Sequence, residues 1–113
     1  MRVKVRLTTE AARDIEEVLD ITLDTFGEKN CEQYRYLIRD ALKEISHNPT
    51  NLRSRARLEI HPYFRTYHLA RPRIRARHFF LYRYDGSEVA IVGRLLHDTM
   101  DITRNLPPDF DRP

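Results

Sequence analysis

The spacing of the hydrophobic residues changes once along the chain, near Pro49, and this change limits the folds that the sequence can adopt. Before Pro49, apolar side chains recur every three or four residues, as they do on one face of an α-helix. After Pro49 they alternate with polar side chains, as they do on a β-strand. The sequence therefore predicts a helical segment followed by a series of strands.

The part before Pro49 divides into one short strand and two helices. Residues 2–7 alternate, so they predict a half-buried strand, and Thr8 or Thr9 can cap the helix that follows. Gly27 is a suitable helix end, and Pro49 ends a second helical pattern. Two helices separated by so few residues are expected to form an antiparallel hairpin. The predicted apolar stripes are Ala11, Ile15, Val18, Leu19, Thr22 and Phe26, then Tyr34, Leu37, Ile38, Ala41, Leu42 and Ile45.

The part after Pro49 contains three or four predicted strands. They lie near residues 55–60, 63–70, 74–84 and 88–96, and Asp85-Gly86 is typical of a tight hairpin turn. The last strand is apolar on both faces apart from Arg94, which indicates a central position in the sheet. The predicted fold class is α+β with the order β-α-α-β-β-β, an antiparallel sheet packed against an α-helical hairpin.

The length of 113 residues fits one domain, which we assign to residues 1–106. Residues 107–113 are rich in Pro and Asp and are expected to form a flexible tail. No apolar run reaches the roughly 18 residues of a membrane span, and the first residues do not resemble a signal peptide. Cys31 is the single cysteine, so we expect no disulfide, no metal site and no cofactor. These features together predict a cytoplasmic protein.

The charge is concentrated in the middle third of the chain. Residues 53–83 contain nine arginines and one acidic residue, Glu59, which is a net charge of +8, whereas the whole chain carries +3. Arginine presents a planar fork of donors that suits carboxylates and phosphates. This distribution predicts an acidic partner, either a peptide or a nucleic acid.

Several segments, in the right order, resemble the ParE branch of the RelE/ParE toxin superfamily. The opening Leu7–Ile15 (LTTEAARDI) is similar to the strand-to-helix start of that family, and Phe26-Gly27-Glu28 to its interhelical turn. His47-Asn48-Pro49 is similar to the end of its second helix. The most specific part is the ending Gly93–Leu106 (GRLLHDTMDITRNL). The resemblance covers roughly residues 3–106.

This resemblance implies the toxin of a bacterial type II toxin–antitoxin pair, of the kind associated with plasmid stabilisation. It implies a protein that inhibits DNA gyrase by binding rather than by catalysis. It also implies a ParD-like antitoxin that forms a hetero-oligomer with the toxin and neutralises it. We expect the antitoxin to use an acidic amphipathic segment, and we do not expect the toxin alone to bind nucleic acid or membranes.

The partner-binding candidates lie in the arginine-rich region, with Arg94 added. Arginines recur with period 2 from Arg71 to Arg77, so in an extended backbone they would share one face. That face would dock an acidic partner, whereas Pro72 favours a solvated loop instead. The aromatic residues of the region are candidates either for the partner surface or for the core. The full set is Arg71, Arg73, Arg75, Arg77, Arg94, Tyr63, Phe64 and Tyr67.

An alternative function is a ribosome-dependent mRNA endonuclease of the RelE type. Such chemistry needs an acid, a base and cations near a phosphate, for which the candidates are Glu59, Arg75, Arg94 and His97. Against this alternative, His97, Asp98 and Asp101 also fit a structural turn after the last strand. A third hypothesis is a relative that binds its partner but has lost toxicity.

Arg94 has a prediction of its own. A charged side chain on an apolar central strand is unfavourable unless it is paired or reaches water. We expect Arg94 to pair with Asp98 or Asp101, to open onto a functional groove, or to do both.

Overall fold

The computed structural model of the chain describes residues 2–110. Helix α1 spans Thr9–Phe26 and helix α2 spans Glu28–His47. The Thr8 side chain accepts a hydrogen bond from the backbone N–H of Ala11, and so caps the first turn of α1. A single residue, Gly27, connects the helices with a φ of 88°, a value that favours glycine. The predicted helical hairpin is therefore correct, and its boundaries lie within one or two residues of those expected.

A five-stranded sheet packs against the hairpin. Its strands are β1 (Lys4–Leu7), β2 (Ser54–Ala56), β3 (Phe64–His68), β4 (His78–Arg83) and β5 (Val89–His97). The order is β1-β5-β4-β3-β2, and every pairing is antiparallel except the parallel pair of β1 and β5. Strand β5 thus has a neighbour on each side, as its two apolar faces predicted. Within the described residues, no helix is long and apolar enough to cross a lipid bilayer.

The predicted strands after Pro49 exist, but three of them are shorter than expected. The strand predicted at 55–60 ends at Ala56, because residues 57–63 form turns. The strand predicted at 74–84 begins only at His78. Residues 71–74 instead close a tight turn, in which the backbones of Arg71 and Ile74 exchange hydrogen bonds. Alternation of side chains alone could not distinguish this turn from an extended strand.

Strand β1 covers only the first half of one edge of β5, and polar side chains at the start of α1 cover part of the second half. The last paired residues are Leu7 and Val92. Beyond them, the Thr8 hydroxyl donates to the carbonyl of Gly93 at 2.6 Å. The backbone N–H of Leu95 donates to the Asp14 carboxylate at 3.0 Å. The side chains of Thr8 and Asp14 therefore satisfy backbone groups that a longer β1 would otherwise have paired.

The sheet has a buried cluster on each face. The larger cluster joins the helices to the sheet and includes Leu37, Ile45, Tyr67, Phe80 and Val92. The smaller cluster contains Phe64, Leu81 and Phe110, with Ile60, Ile102 and Leu106 packed against it. The C-terminal segment therefore covers part of the sheet face opposite the larger cluster.

Pro107 and Phe110 are buried, so the described residues 107–110 of the predicted flexible tail at 107–113 pack against the sheet. Phe110 packs against the ring of Phe64 at 5.0 Å between centroids, and its ring lies directly over Gly93. A Cβ on Gly93 would come within 2.7 Å of that ring, which explains why this position holds a glycine. Residues 111–113 lie outside the described part of the chain.

We predict that Asp14→Asn destabilises the fold by about 2 kcal/mol, because it removes the charge that pairs with Arg94 and weakens the hydrogen bonds of Asp14. The side chains of Asp14 and Arg94 are 12% and 21% exposed, so solvent screens their charges only in part. Urea unfolding measures the effect. The matched control is Asp20→Asn on the exposed side of α1. An equal effect in both variants would show that the Asp14 contacts contribute little.

We also predict that Gly93 and Phe110 are energetically coupled. Gly93→Ala should cost about 1–3 kcal/mol by displacing the Phe110 ring, and Phe110→Ala about 2–3 kcal/mol by emptying its site. In the double variant the added methyl group meets no ring, so its stability should match that of Phe110→Ala alone. Phe26→Ala, an exposed phenylalanine, controls for side-chain size. Additive effects in thermal or urea unfolding would refute the contact.

Candidate functional site: a groove between the helical hairpin and the sheet

A groove of about 1090 Å³ lies where the two helices meet the loop before β4 and the end of β5. Helix α1 provides one wall, and α2 contributes residues at its first turns. The opposite wall comes from the segments around residues 75–78 and 94–100. The lining residues are Asp14, Glu17, Val18, Ile21, Thr22, Phe26, Asn30, Gln33, Tyr34, Arg75, Ala76, Arg77, His78, Arg94, Leu95, His97, Thr99 and Met100.

Apolar side chains in this groove are exposed to solvent. Ile21, Phe26 and Met100 retain 56%, 65% and 47% of their accessible surface. The sequence pattern places Phe26 at the end of the apolar stripe of α1, but its side chain is not buried in the core. The α1 side chains Ile15, Val18 and Leu19 pack against the larger core cluster, whereas Ile21 and Phe26, toward the end of the helix, are exposed. The stripe therefore continues beyond the core and forms a wall of the groove.

The four arginines of period 2 do not share one face. Arg71 turns toward α2 and forms a salt bridge with Asp40. Arg73 is exposed, whereas Arg75 and Arg77 line the groove. The prediction of a single arginine row required an extended backbone, and the turn at residues 71–74 breaks it. Two of the four arginines, Arg75 and Arg77, thus remain as cations along the groove.

Arg94 also lines the groove, and its partner is Asp14 of α1 rather than Asp98 or Asp101. Its Nε donates to Asp14 Oδ2 at 2.7 Å and its Nη2 donates to Oδ1 at 3.0 Å. Its Nη1 donates to the carbonyl oxygen of Asn105 at 3.0 Å. These bonds to Asp14 raise the pKa of the Arg94 guanidinium. The charge is therefore neutralised within the chain, by a partner distant in sequence.

Two of the three aromatic candidates are core residues. Phe64 and Tyr67 are fully buried, so their side chains are not at the surface where a partner could contact them. Tyr63 is 43% exposed and carries the Arg83 guanidinium over its ring at 5.5 Å. Tyr63 lies at the β2–β3 end of the molecule and not in the groove.

Three histidines stand at the ends of three neighbouring strands, beside the groove. His68 ends β3, His78 begins β4 and His97 ends β5, with His78 and His97 directly paired across the sheet. The rings of His78 and His97 meet edge to face, 5.2 Å apart. The Tyr34 hydroxyl of α2 lies 2.6 Å from His78 Nδ1 and accepts a hydrogen bond from the backbone N–H of Arg77.

Burial is the main cause that lowers the pKa of His78, and the neighbouring His97 adds to it, bringing the value from 6.5 to about 4. Burial likewise raises the pKa of the Tyr34 hydroxyl. Both groups are therefore neutral near pH 7. A neutral His78 can accept a hydrogen bond from the Tyr34 hydroxyl at Nδ1, which connects the start of β4 to α2.

The residues after β5 form the turn in which His97, Asp98 and Asp101 lie. Thr99 donates its backbone N–H to His97 Nδ1 at 3.2 Å, and Asp101 accepts from the backbone N–H of Thr103 at 2.9 Å. The Asp98 carboxylate accepts a hydrogen bond from His68 Nε2 at 2.7 Å. The turn after β5 is thus connected to the end of β3.

The four candidates for RNA cleavage do not meet in one place. Arg75, Arg94 and His97 line the groove, but Glu59 lies in the turns after β2, 3.5 Å from Arg57. Sequence reasoning missed Tyr34, His78 and Asp14, which shape the groove. A histidine at an end of each of three successive strands was the available signal for His78. Nothing in the local pattern distinguished Asp14 from the other acidic residues of α1.

Comparison with known proteins agrees with this architecture. Residues 5–102 match the family model described as the ParE toxin of the type II toxin–antitoxin system parDE. The Toxin ParE1 proteins of Mycobacterium tuberculosis strains CDC 1551 / Oshkosh and H37Rv are each 33% identical over 100 residues. The alignment covers 88% of this chain and 94% of each relative.

Two solved structures share the fold. One is the chromosomal ParDE TA system from P. aeruginosa, with a TM-score of 0.65 and 17% identity over 85% of this chain and 96% of that one. The other is the RelBE2 toxin–antitoxin complex from Mycobacterium tuberculosis, with a TM-score of 0.56 and 22% identity over 86% and 99%. The family match over most of the sequence, together with the 33% identical relatives, shows that the chain belongs to the ParE family of type II toxin–antitoxin toxins.

Proposed function

We propose that this toxin acts in the cytoplasm by binding DNA gyrase, and that a ParD-like antitoxin silences it by filling the groove. Membership of the ParE family supports the general role. The groove, which combines exposed apolar side chains with cations, is the observation that carries the proposed antitoxin site.

The chemistry of the groove specifies the kind of segment that would fill it. Ile21, Phe26 and Met100 offer apolar contacts on both sides of an open channel. Arg75 and Arg77 add positive charge along one side. An amphipathic segment with apolar anchors and acidic flanks matches both features, and peptides of this kind commonly bind in such grooves. Binding would bury the apolar side chains that the isolated chain leaves in water.

Inhibition by binding is favoured over RNA cleavage by the placement of the charged residues. Arg94 is occupied by Asp14, and Glu59 does not line the groove. Acid–base catalysis of phosphodiester cleavage requires its groups to converge within hydrogen-bond reach of one substrate. These four residues do not form such an arrangement.

We predict that the purified chain blocks supercoiling by DNA gyrase and that induced expression arrests growth while messenger RNA stays intact. Supercoiling assays and RNA cleavage maps measure the two effects. Cleaved messenger RNA with normal supercoiling would favour the RelE-type function instead. Expression without growth arrest would indicate a binding protein that is no longer toxic.

We predict that Phe26→Ser weakens binding of the antitoxin by about tenfold or more, because an apolar anchor of this size contributes about 1.5–3 kcal/mol. The ligand for this measurement is the product of the small gene adjacent to the toxin gene, and calorimetry gives the affinity. Leu52→Ser, a change at a fully exposed leucine outside the groove, is the matched control. Equal affinities of Phe26→Ser and Leu52→Ser, or failure of the two gene products to co-purify, would contradict the proposed site.

A further inference from the structure

The hydrogen bonds of His68 and His97 indicate which ring nitrogen carries the proton, and those of His78 allow the same assignment. Backbone N–H groups donate to Nδ1 of His68, from Ala70 at 3.0 Å, and to Nδ1 of His97, from Thr99 at 3.2 Å. An Nδ1 that accepts a hydrogen bond leaves the proton of a neutral ring on Nε2. Tyr34 allows the same arrangement at His78. The Tyr34 oxygen accepts a hydrogen bond from the backbone N–H of Arg77, and the Tyr34 hydroxyl can donate a hydrogen bond to His78 Nδ1.

The three Nε2–H groups differ in whether they have an acceptor. His68 Nε2 donates to the Asp98 carboxylate at 2.7 Å. Among the described residues, Nε2 of His78 and Nε2 of His97 have no hydrogen-bond partner, although both rings line the groove. Asp98 is held on the side of His68, and its backbone N–H is bonded to the carbonyl of Arg77. Among residues 2–110, a carboxylate therefore accepts a hydrogen bond from His68 but not from His78 or His97.

Cationic side chains line the groove near His78 and His97. Arg75 and Arg77 lie along the same groove, and the Arg94 charge is already neutralised by Asp14. We propose that His78 and His97, together with Arg75 and Arg77, form a subsite that receives an aspartate or glutamate carboxylate of the segment that fills the groove. This subsite rests on the proposed function for its partner, but the subsite itself can be tested in the toxin alone.

Tyr34 is a positioning residue of this subsite. Its hydroxyl bonds to His78 and to the backbone of Arg77, so it holds a histidine and an arginine of the subsite at fixed positions relative to α2. At the other end of the same loop, Asp40 of α2 holds Arg71. The loop that carries Arg75 and Arg77 is therefore attached to α2 at both ends before any partner arrives.

The proposal predicts that a bound anion makes His78 easier to protonate. The groups that act on His78 are Tyr34 from α2, Asp14 from α1, His68 from β3, and His97 and Asp98 from β5 and its end, with Arg77 adjacent in sequence. In the free chain the pKa of His78 is about 4. A carboxylate within about 4–6 Å favours the imidazolium, so the pKa should rise by about one unit or more. Protonation of His78 is favoured in the bound state, so anion binding should strengthen as the pH falls from about 6 toward 4.

The experiment is a titration of the histidine ring signals of the isotope-labelled toxin by NMR, in chloride and then with added acetate or inorganic phosphate. We expect both anions to raise the pKa of His78 and to shift the His97 signals, whereas the exposed His47 should not change. His97→Asn keeps an acceptor near the position of Nδ1 but removes the Nε2 donor, so it should abolish the response of His78. His47→Asn is the matched control, and thermal unfolding checks that each variant is folded.

Two outcomes would overturn the subsite. One is that the pKa of His78 in acetate and in phosphate is the same as its pKa in chloride. The other is a response to phosphate without a response to acetate, accompanied by binding of a single-stranded RNA oligonucleotide, which would assign the groove to nucleic acid. Neither outcome depends on gyrase or on an antitoxin, so failure of the subsite and failure of the proposed function are separate results.

Discussion

The carboxylate of Asp14 is the connection on which the relation between the helices and the sheet depends. It accepts hydrogen bonds from the backbone of Leu95 and from two nitrogens of Arg94, beyond the point where β1 ends. One side chain of α1 thus completes the edge of β5 and neutralises a charge that would be unfavourable on an apolar strand. It also connects α1 to the end of β5, two of the elements that line the groove.

The charged and histidine side chains in and around the groove divide into those that have an acidic partner within the chain and those that line the groove without a salt bridge to another described residue. Arg71, Arg94 and His68 have acidic partners within the chain, and these hold α1, α2 and β3 in place. Arg75, Arg77, His78 and His97 line the groove, and no salt bridge with another described residue involves them. Charged residues that look equivalent in the sequence therefore have two different roles. The residues with acidic partners hold in place the elements that carry the groove-lining arginines and histidines.

The sequence was sufficient to predict elements whose signal is local. The helical hairpin follows from the periodic apolar residues, Thr8 and Gly27, and the position of β5 follows from its two apolar faces. The partner of Arg94 was not predictable, because Asp14 lies 80 residues away and only the parallel pairing of β1 with β5 brings them together. The arginine row failed for a related reason. Four alternating arginines look identical in a strand and in a turn, and only the hydrogen bonds between Arg71 and Ile74 decide between them.

The parallel pair of β1 and β5 also has a consequence for how the toxin acquires its activity. Residues 4–7 pair with residues 89–92, so the first strand has no partner in the sheet until most of the chain has been synthesised. Helical hairpins form from local contacts, whereas pairing across such a sequence separation is slow. During translation the hairpin would therefore be present with its sheet-facing side chains uncovered. The groove includes residues 94–100, so it would be complete only after nearly the whole chain has been synthesised, and growing chains would lack it.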